Sequence, residues 1–228
     1  MIKNISNLGD AAIYCDFGSE VNEIVNSNVI NYYHHLLSLI KEEKIAGIKN
    51  ITPSYNKLII NFDLSVTNFF KLKEIIQKIK IDKNTNQEKK NIKIPVCCDE
   101  EYGLDFERLS NKLNISKNEI LKLCFDKDYF CYMTGFIAGM PFLGNLDDNI
   151  QCKRLDTPRV KVPKGSIGIT EQFANIYTFE SPGGWNIIGN TPKKIFNKHN
   201  LSDPALIKPG DKVTFYQISK KEYLNWND

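Results

Sequence analysis

The sequence predicts an α+β protein in two parts: a βαββαβ unit over residues 1–90 and a β-barrel over 91–228, with short helices at about 104–125. Three observations predict it. Up to about residue 80, apolar residues alternate between strand spacing and helical spacing. After residue 130 the helical period vanishes. Between 132 and 192 glycine and proline crowd as nowhere else: Gly135, Gly139, Gly144, Gly165, Gly168, Gly183, Gly184 and Gly189, with Pro141, Pro158, Pro163, Pro182 and Pro192. Alternating with Phe, Ile, Val and Trp, they describe short strands joined by turns of fixed geometry.

Taken in order, residues 11–17 form an apolar run stopped by Gly18, a strand. Val21, Ile24, Val25, Tyr33, Leu36, Leu37 and Ile40 then recur at helical spacing. Gly47 opens a strand through Ile51, Thr52-Pro53-Ser54 turns the chain, and 57–62 alternates into the next strand. Phe69, Leu72, Ile75, Ile76 and Ile79 mark a second amphipathic helix. Residues 82–91 are polar throughout and read as a loop, the place where a protease is expected to cut first. Ile92, Ile94 and Val96 lie on one face of a last strand, which completes a ferredoxin-like βαββαβ order.

Two short helices are predicted at 104–113 and 116–125, the second opened by Ser116-Lys-Asn-Glu119, a capping-box pattern. Beyond them, strands are predicted at 130–134, 159–162, 166–170, 175–179, 185–188 and 212–218, the last after the turn Pro209-Gly210-Asp211.

Composition excludes several classes. Among 228 residues, 42% are hydrophobic and 25% charged, the balance of an ordinary globular protein. Net charge is +3, from 30 basic and 27 acidic residues, so nothing suggests a nucleic-acid or membrane-surface binder. No apolar run reaches the roughly 20 residues of a membrane helix, and the start Met1-Ile-Lys-Asn lacks a signal-peptide core. The expected compartment is the cytoplasm. The six cysteines form no C-x-x-C pair and read as buried free thiols, with no metal site implied.

The chemistry is defined first by what is missing. Of three histidines, His34 and His35 fall on the first helix and His199 near the end, so the Gly/Pro-rich stretch has no histidine base. Ser166, in Gly165-Ser-Ile-Gly168, lacks the nucleophile-elbow pattern, and no phosphate loop occurs. What remains is a run of cations, Lys153, Arg154, Arg159, Lys161 and Lys164, with Asp147, Asp148, Asp156, Glu171 and Glu180 as acidic candidates. Trp185, after Gly183-Gly184, is the aromatic best placed to line a pocket.

Four blocks carry a resemblance. They are Gly135-Phe-Ile-Ala-Gly-Met-Pro-Phe-Leu-Gly-Asn-Leu-Asp147, Thr157-Pro-Arg159, Val162-Pro-Lys-Gly-Ser-Ile-Gly-Ile169 and Ser181-Pro-Gly-Gly-Trp-Asn-Ile-Ile-Gly-Asn-Thr-Pro192. Together they resemble the family of the 5-oxoprolinase B subunit (PxpB), which also covers allophanate hydrolase subunit 1 and the kinase inhibitor KipI. The resemblance implies a cyclophilin-like barrel for the second part. It also implies an ATP-dependent enzyme, with Mg, that opens 5-oxo-L-proline to L-glutamate. Two partners are implied, a larger cyclophilin-like C subunit together with an A subunit. A KipI-like inhibitor of a sensor histidine kinase and a urea-degrading system are the alternatives. The chain departs from the family pattern at Cys124, Phe130, Ala138 and Met140, and Phe173-Ala174-Asn175 stands where the family has a turn.

On this reading the site lies between 136–143, 159–166 and 181–185. Arg159 and Lys164 would bind an anion, and Ser166 lies in the same segment. Phe136, Pro141 and Trp185 would shape the pocket, and Gly135, Gly165, Gly183 and Gly184 would let backbone approach, with Ser181 and Pro182 beside them. No residue is assigned as catalytic. Removing Arg159 is expected to abolish activity or anion binding with little change in melting temperature. The interface with the larger partner is expected to be largely apolar and to bury upwards of about 2,000 Å², so the isolated chain is expected to self-associate or be poorly soluble.

Overall fold

The computed structural model describes residues 1–80 and 89–227. They fall into two compact units, Met1–Glu88 and Lys89–Asp228. Among the described residues no helix is long and apolar enough to cross a membrane. Of the polar stretch 82–91, residues 82–88 lie outside those described, and Asn91 already begins a strand.

The first unit contains β1 (Asn4–Asn7), β2 (Ala12–Asp16), α1 (Glu23–Lys41), β3 (Ile48–Pro53), β4 (Lys57–Phe62) and α2 (Phe69–Lys78). The strands form one antiparallel sheet in the order β1-β2-β4-β3. In β4 the alternation is plain: Leu58, Ile60 and Phe62 are buried, and the residues between them are not. Helix ends are set by side chains, Asn22 Oδ1 accepting from Val25 N–H and Asn68 Oδ1 from Lys71 N–H.

Two expectations change here. The buried face of α1 carries Asn26, Val29, Ile30, Tyr32 and Leu36, whereas Ile24 is 79% exposed. A polar residue turns the helix: Asn26 Nδ2 donates to the carbonyls of Ser54 and Tyr55 at 3.0 and 2.8 Å and ties this face to the β3–β4 turn. The strand expected to close the βαββαβ order, β5 (Asn91–Cys97), belongs instead to the second unit. Pro95, Val96 and Cys97 are consecutive and all buried, so both faces of β5 are covered, as an edge strand of a two-layer unit would not be. The place beside β2 is filled by β1, which buries only Ile5 and so shows no period in sequence.

The second unit continues with α3 (Phe106–Leu113), α4 (Lys117–Phe125), β6 (Asp128–Thr134), β7 (Pro141–Gly144), β8 (Arg159–Val162), β9 (Ser166–Thr170), β10 (Phe173–Ile176), β11 (Ser181–Gly183), β12 (Asn186–Asn190), β13 (Lys212–Ile218) and α5 (Lys220–Leu224). Seven strands close a barrel in the order β10-β7-β6-β13-β5-β12-β9, with β9 pairing back to β10, while β8 and β11 form a separate two-stranded ribbon. Every residue of β9 and β12 is buried. The core joins Ile94, Leu109, Ile120, Cys124, Cys131, Leu143, Ile167, Ile169 and Ile176. All six cysteines are buried and free.

Local differences have local causes. Phe173-Ala174-Asn175 is strand, not turn; the turn lies just before it at Glu171, whose φ is +46°. At Ser116 only half the box forms, Ser116 Oγ accepting from Glu119 N–H, and the reciprocal pair is found at Ser219 and Glu222 opening α5. Two strands, β7 and β11, were not expected; at four and three residues they are too short to show a period.

Candidate functional site

Several of the expected site residues lie around a residue not expected, Tyr177. The β8–β11 ribbon sets Arg159 opposite Gly183 and Ser181 opposite Val162, with a bulge between Ser181 and Gly183. Gly183 lies against the Tyr177 hydroxyl so closely that a β-carbon there would stand 2.2 Å from it. At Gly168 a β-carbon would meet Asn175 Oδ1 at 2.6 Å and Trp185 Cβ at 3.0 Å, so Asn175, Tyr177 and Trp185 crowd one strand face. Trp185 meets Phe142 edge-on at 5.7 Å. Met140, Val162, Tyr177 and Ile187 form the apolar backing, with Ile137 and Phe142 at its edge. Gly184 backs on Pro158 and Arg154.

The charge at this place comes from Arg159, and its partner was invisible in sequence. Arg159 Nη2 donates to Asp105 Oδ1 at 2.7 Å. The other oxygen, Asp105 Oδ2, accepts from the Ile187 N–H at 2.6 Å, and Asp105 N–H donates to the Ile187 carbonyl at 3.0 Å. Asp105 is 3% exposed and precedes α3 without capping it by its side chain. Its carboxylate instead joins α3, β8 and β12. This corrects the expectation that Arg159 serves only a ligand: it is one half of a mostly buried ion pair, so its loss strands a carboxylate inside the fold. An aspartate just before a helix reads as a cap, which is why sequence hid the role.

One arm of the guanidinium remains. Arg159 Nη1, Asn175 Nδ2 and Ser181 Oγ are buried and have no hydrogen-bond partner among the described residues. Each such group costs about 1–3 kcal/mol while it stays unpaired. Burial pushes the Tyr177 hydroxyl pKa up. The Asn175 amide, the Arg154 charge, the Trp185 backbone N–H and the Arg159 charge work against that rise. Asn175 thus acts on the Tyr177 hydroxyl electrostatically, while its Nδ2 reaches no acceptor in hydrogen-bond geometry. The surroundings of Tyr177 thus combine a neutral phenol with buried donors of Asn175 and Arg159, groups suited to an oxygen atom that carries negative charge.

The other expected residues lie apart. Lys164 and Gly165 line a cleft of about 420 Å³ with Tyr177, Thr178, Thr191 and two lysines from the following segment, Lys193 and Lys194. Arg159 is not among the residues that line this cleft. Ser166 is buried, its Oγ accepting from Asn190 Nδ2 at 3.4 Å, and does not line the cleft. Pro141 is buried at the start of β7, opposite Thr134, and Pro182 is exposed. Gly135 N–H donates to the Met140 carbonyl and closes the turn that carries Phe136. Phe136 is no pocket wall: it is 69% exposed, with φ +67°. Among the described residues no group of three or more His, Cys, Asp or Glu side chains could hold a metal ion.

The family profile described as the carboxyltransferase domain, subdomain C and D, matches residues 3–207. This chain belongs to that family. Among family relatives, the 5-oxoprolinase B subunit of Bacillus subtilis is 32% identical over 96% of this chain and 94% of its own length. Its counterpart of the same name in Haemophilus influenzae is 34% identical over 76% of this chain and 78% of its own. The urea amidolyase of Saccharomyces cerevisiae is 26% identical over 94% of this chain, which spans 13% of that protein. Among solved structures, TTHA0988 superposes with a TM-score of 0.81 at 25% identity, over 92% of this chain and 40% of TTHA0988. The family fold is thus found both as a separate chain and as part of much longer ones.

Proposed function

We propose that this protein is the B subunit of an ATP-dependent 5-oxoprolinase. With a larger C subunit plus an A subunit it opens 5-oxo-L-proline to L-glutamate in the cytoplasm. The observation that carries the reading is the match, along nearly the full length of both chains, to a named 5-oxoprolinase B subunit. The unpartnered donors support it: an anionic substrate carboxylate, or the lactam oxygen as it gains charge, is what Arg159 Nη1, Asn175 Nδ2 or Ser181 Oγ could pair with. Asp105 orients the guanidinium, and the Met140, Val162 and Ile187 backing keeps water away.

The chain lacks the rest of the chemistry. Ring opening adds water across the C–N bond, which needs a base for the water and an acid for the leaving nitrogen. No histidine lies between residues 132 and 192, and burial keeps Tyr177 protonated. Those groups are assigned to a partner wall. The nucleotide is assigned to the complex too, because no phosphate loop and no metal-ligating cluster occurs among the described residues. The yeast relative favours a second reading, allophanate hydrolase subunit 1 of a urea-degrading system.

The test mixes the purified proteins of the complex with 5-oxo-L-proline or allophanate, with and without ATP. ATP-dependent glutamate release by the full mixture and none by the lone chain is the expected result. Turnover by this chain alone overturns the shared site, and turnover of allophanate only selects the second reading. A full mixture inactive on both, with this chain lowering autophosphorylation of a sensor kinase, selects the inhibitor.

A further inference from the structure

We infer that the cleft around Lys164, Lys193 and Lys194 is a separate binding site for a small, multiply charged anion. The inference does not rest on the 5-oxoprolinase reading. The cleft is about 420 Å³, within the size range of small-molecule sites, and its lining has three lysines and no carboxylate. Neither Lys164 nor Lys193 has an ion-pair partner among the described residues, although Lys161, three residues from Lys164, pairs with Glu180. Glu101, the carboxylate whose charge reaches Tyr223 at the cleft wall, is already bound to Lys220 at 2.7 Å. Like charges gathered in one concavity repel unless an anion answers them.

The floor is built to hold its shape. Gly165 has φ +85°, and a β-carbon there would strike Asn190 Oδ1 and the Thr191 carbonyl, each at 2.5 Å. Only glycine lets the turn after Pro163 come this close. Its N–H donates to the Tyr177 carbonyl at 2.7 Å and its carbonyl accepts from Thr191 N–H at 2.9 Å. Asn190 fastens the wall, its Nδ2 donating to the Lys164 carbonyl and its Oδ1 accepting from the Tyr223 hydroxyl, both at 2.9 Å. Thr178 and Thr191 are both buried beneath, and Pro192 stiffens the segment that presents Lys193 and Lys194. A rigid, cation-lined floor binds an anion without first ordering itself. The ammonium groups of Lys164 and Lys193, with Lys194 beside them, fit a multiply charged anion, and polyphosphates and tricarboxylates share the needed charge.

The full chain is titrated by calorimetry with pyrophosphate, with the tricarboxylate tricarballylate and with chloride, at constant ionic strength. Saturable 1:1 binding of pyrophosphate or tricarballylate is expected, the tighter of the two naming the ligand source. Lys164→Gln and Lys193→Gln should each weaken it by about tenfold or more, the equivalent of one charge-assisted hydrogen bond. Lys161→Gln, outside the cleft, should leave it unchanged. The inference is overturned if neither anion saturates, if chloride competes at equal concentration, or if Lys161→Gln weakens binding as much as the cleft variants.

Discussion

The two units differ in what their buried amide side chains donate to. Asn26, fully buried in α1, donates its Nδ2 to two turn carbonyls. Asn175, as deeply buried in β10, accepts from the Gly168 N–H at its Oδ1 and leaves its Nδ2 without a partner among the described residues, as are Arg159 Nη1 and Ser181 Oγ in the second unit. Unpaired buried donors are rare in native folds because each one weakens the fold. Where such donors occur in the unit that carries the candidate site, the weakness marks groups kept for something else.

The largest contrast should be with pH. Burial pushes Cys98 and Cys124 up to about 12, raises Cys131 further, and lifts Tyr129 well above its ordinary range; the first unit has Cys15 at about 12 and a milder rise at Tyr32. A folded-state pKa above the unfolded one contributes stability in full below pH 9, and that contribution is lost as pH rises towards 12. Hydrogen exchange between pH 8 and 11 should therefore show the barrel opening before the first unit. The reverse order would break the comparison.

Next in size is Asp105→Ala, which leaves Arg159 half-buried and unpaired. It should cost the second unit about 3–5 kcal/mol in urea unfolding and leave exchange in the first unit unchanged. Leu58→Ala is the counterpart in the first unit, a fully buried leucine in β4, at about 3 kcal/mol. Ser181→Ala should do the opposite. Removing an unpaired hydroxyl leaves stability unchanged or raises it by up to about 1 kcal/mol, while ATP-dependent glutamate release by the complex falls. Loss of stability there would mean that Ser181 is already satisfied. Lys78→Ala, which ends an exposed pair with Glu74 on α2, sets the floor at about 0.3 kcal/mol.

The same contrast explains what could be read from sequence. Alternation reveals β4 because one face is wet, and the polar flanks of α3 and α4 reveal those helices. β9 and β12 have no wet face, so their positions were legible mainly through the glycine and proline around them. β1 and β11 offer too few residues for any period, and β5 looked like the end of the unit before it because its pairing partner lies at the far end of the chain. In the site, glycines and Trp185 were visible as types that need special surroundings. Asp105, Asn175 and Tyr177 were not, since each has an ordinary reading as cap, turn or core.

The pairing of β5 with β13 also sets an order of assembly. Ile94 lies opposite Phe215 in a parallel ladder, and β13 joins β5 to β6 in closing the barrel. The first unit has all its strands and helices by Lys78 and can form while the ribosome is still working. The barrel must wait until β13 emerges, and until then β5 and β6 present open edges with apolar residues on both faces. Such an edge recruits other chains readily. Translation pauses or truncations before Lys212 are thus the moments at which this protein is most exposed to aggregation.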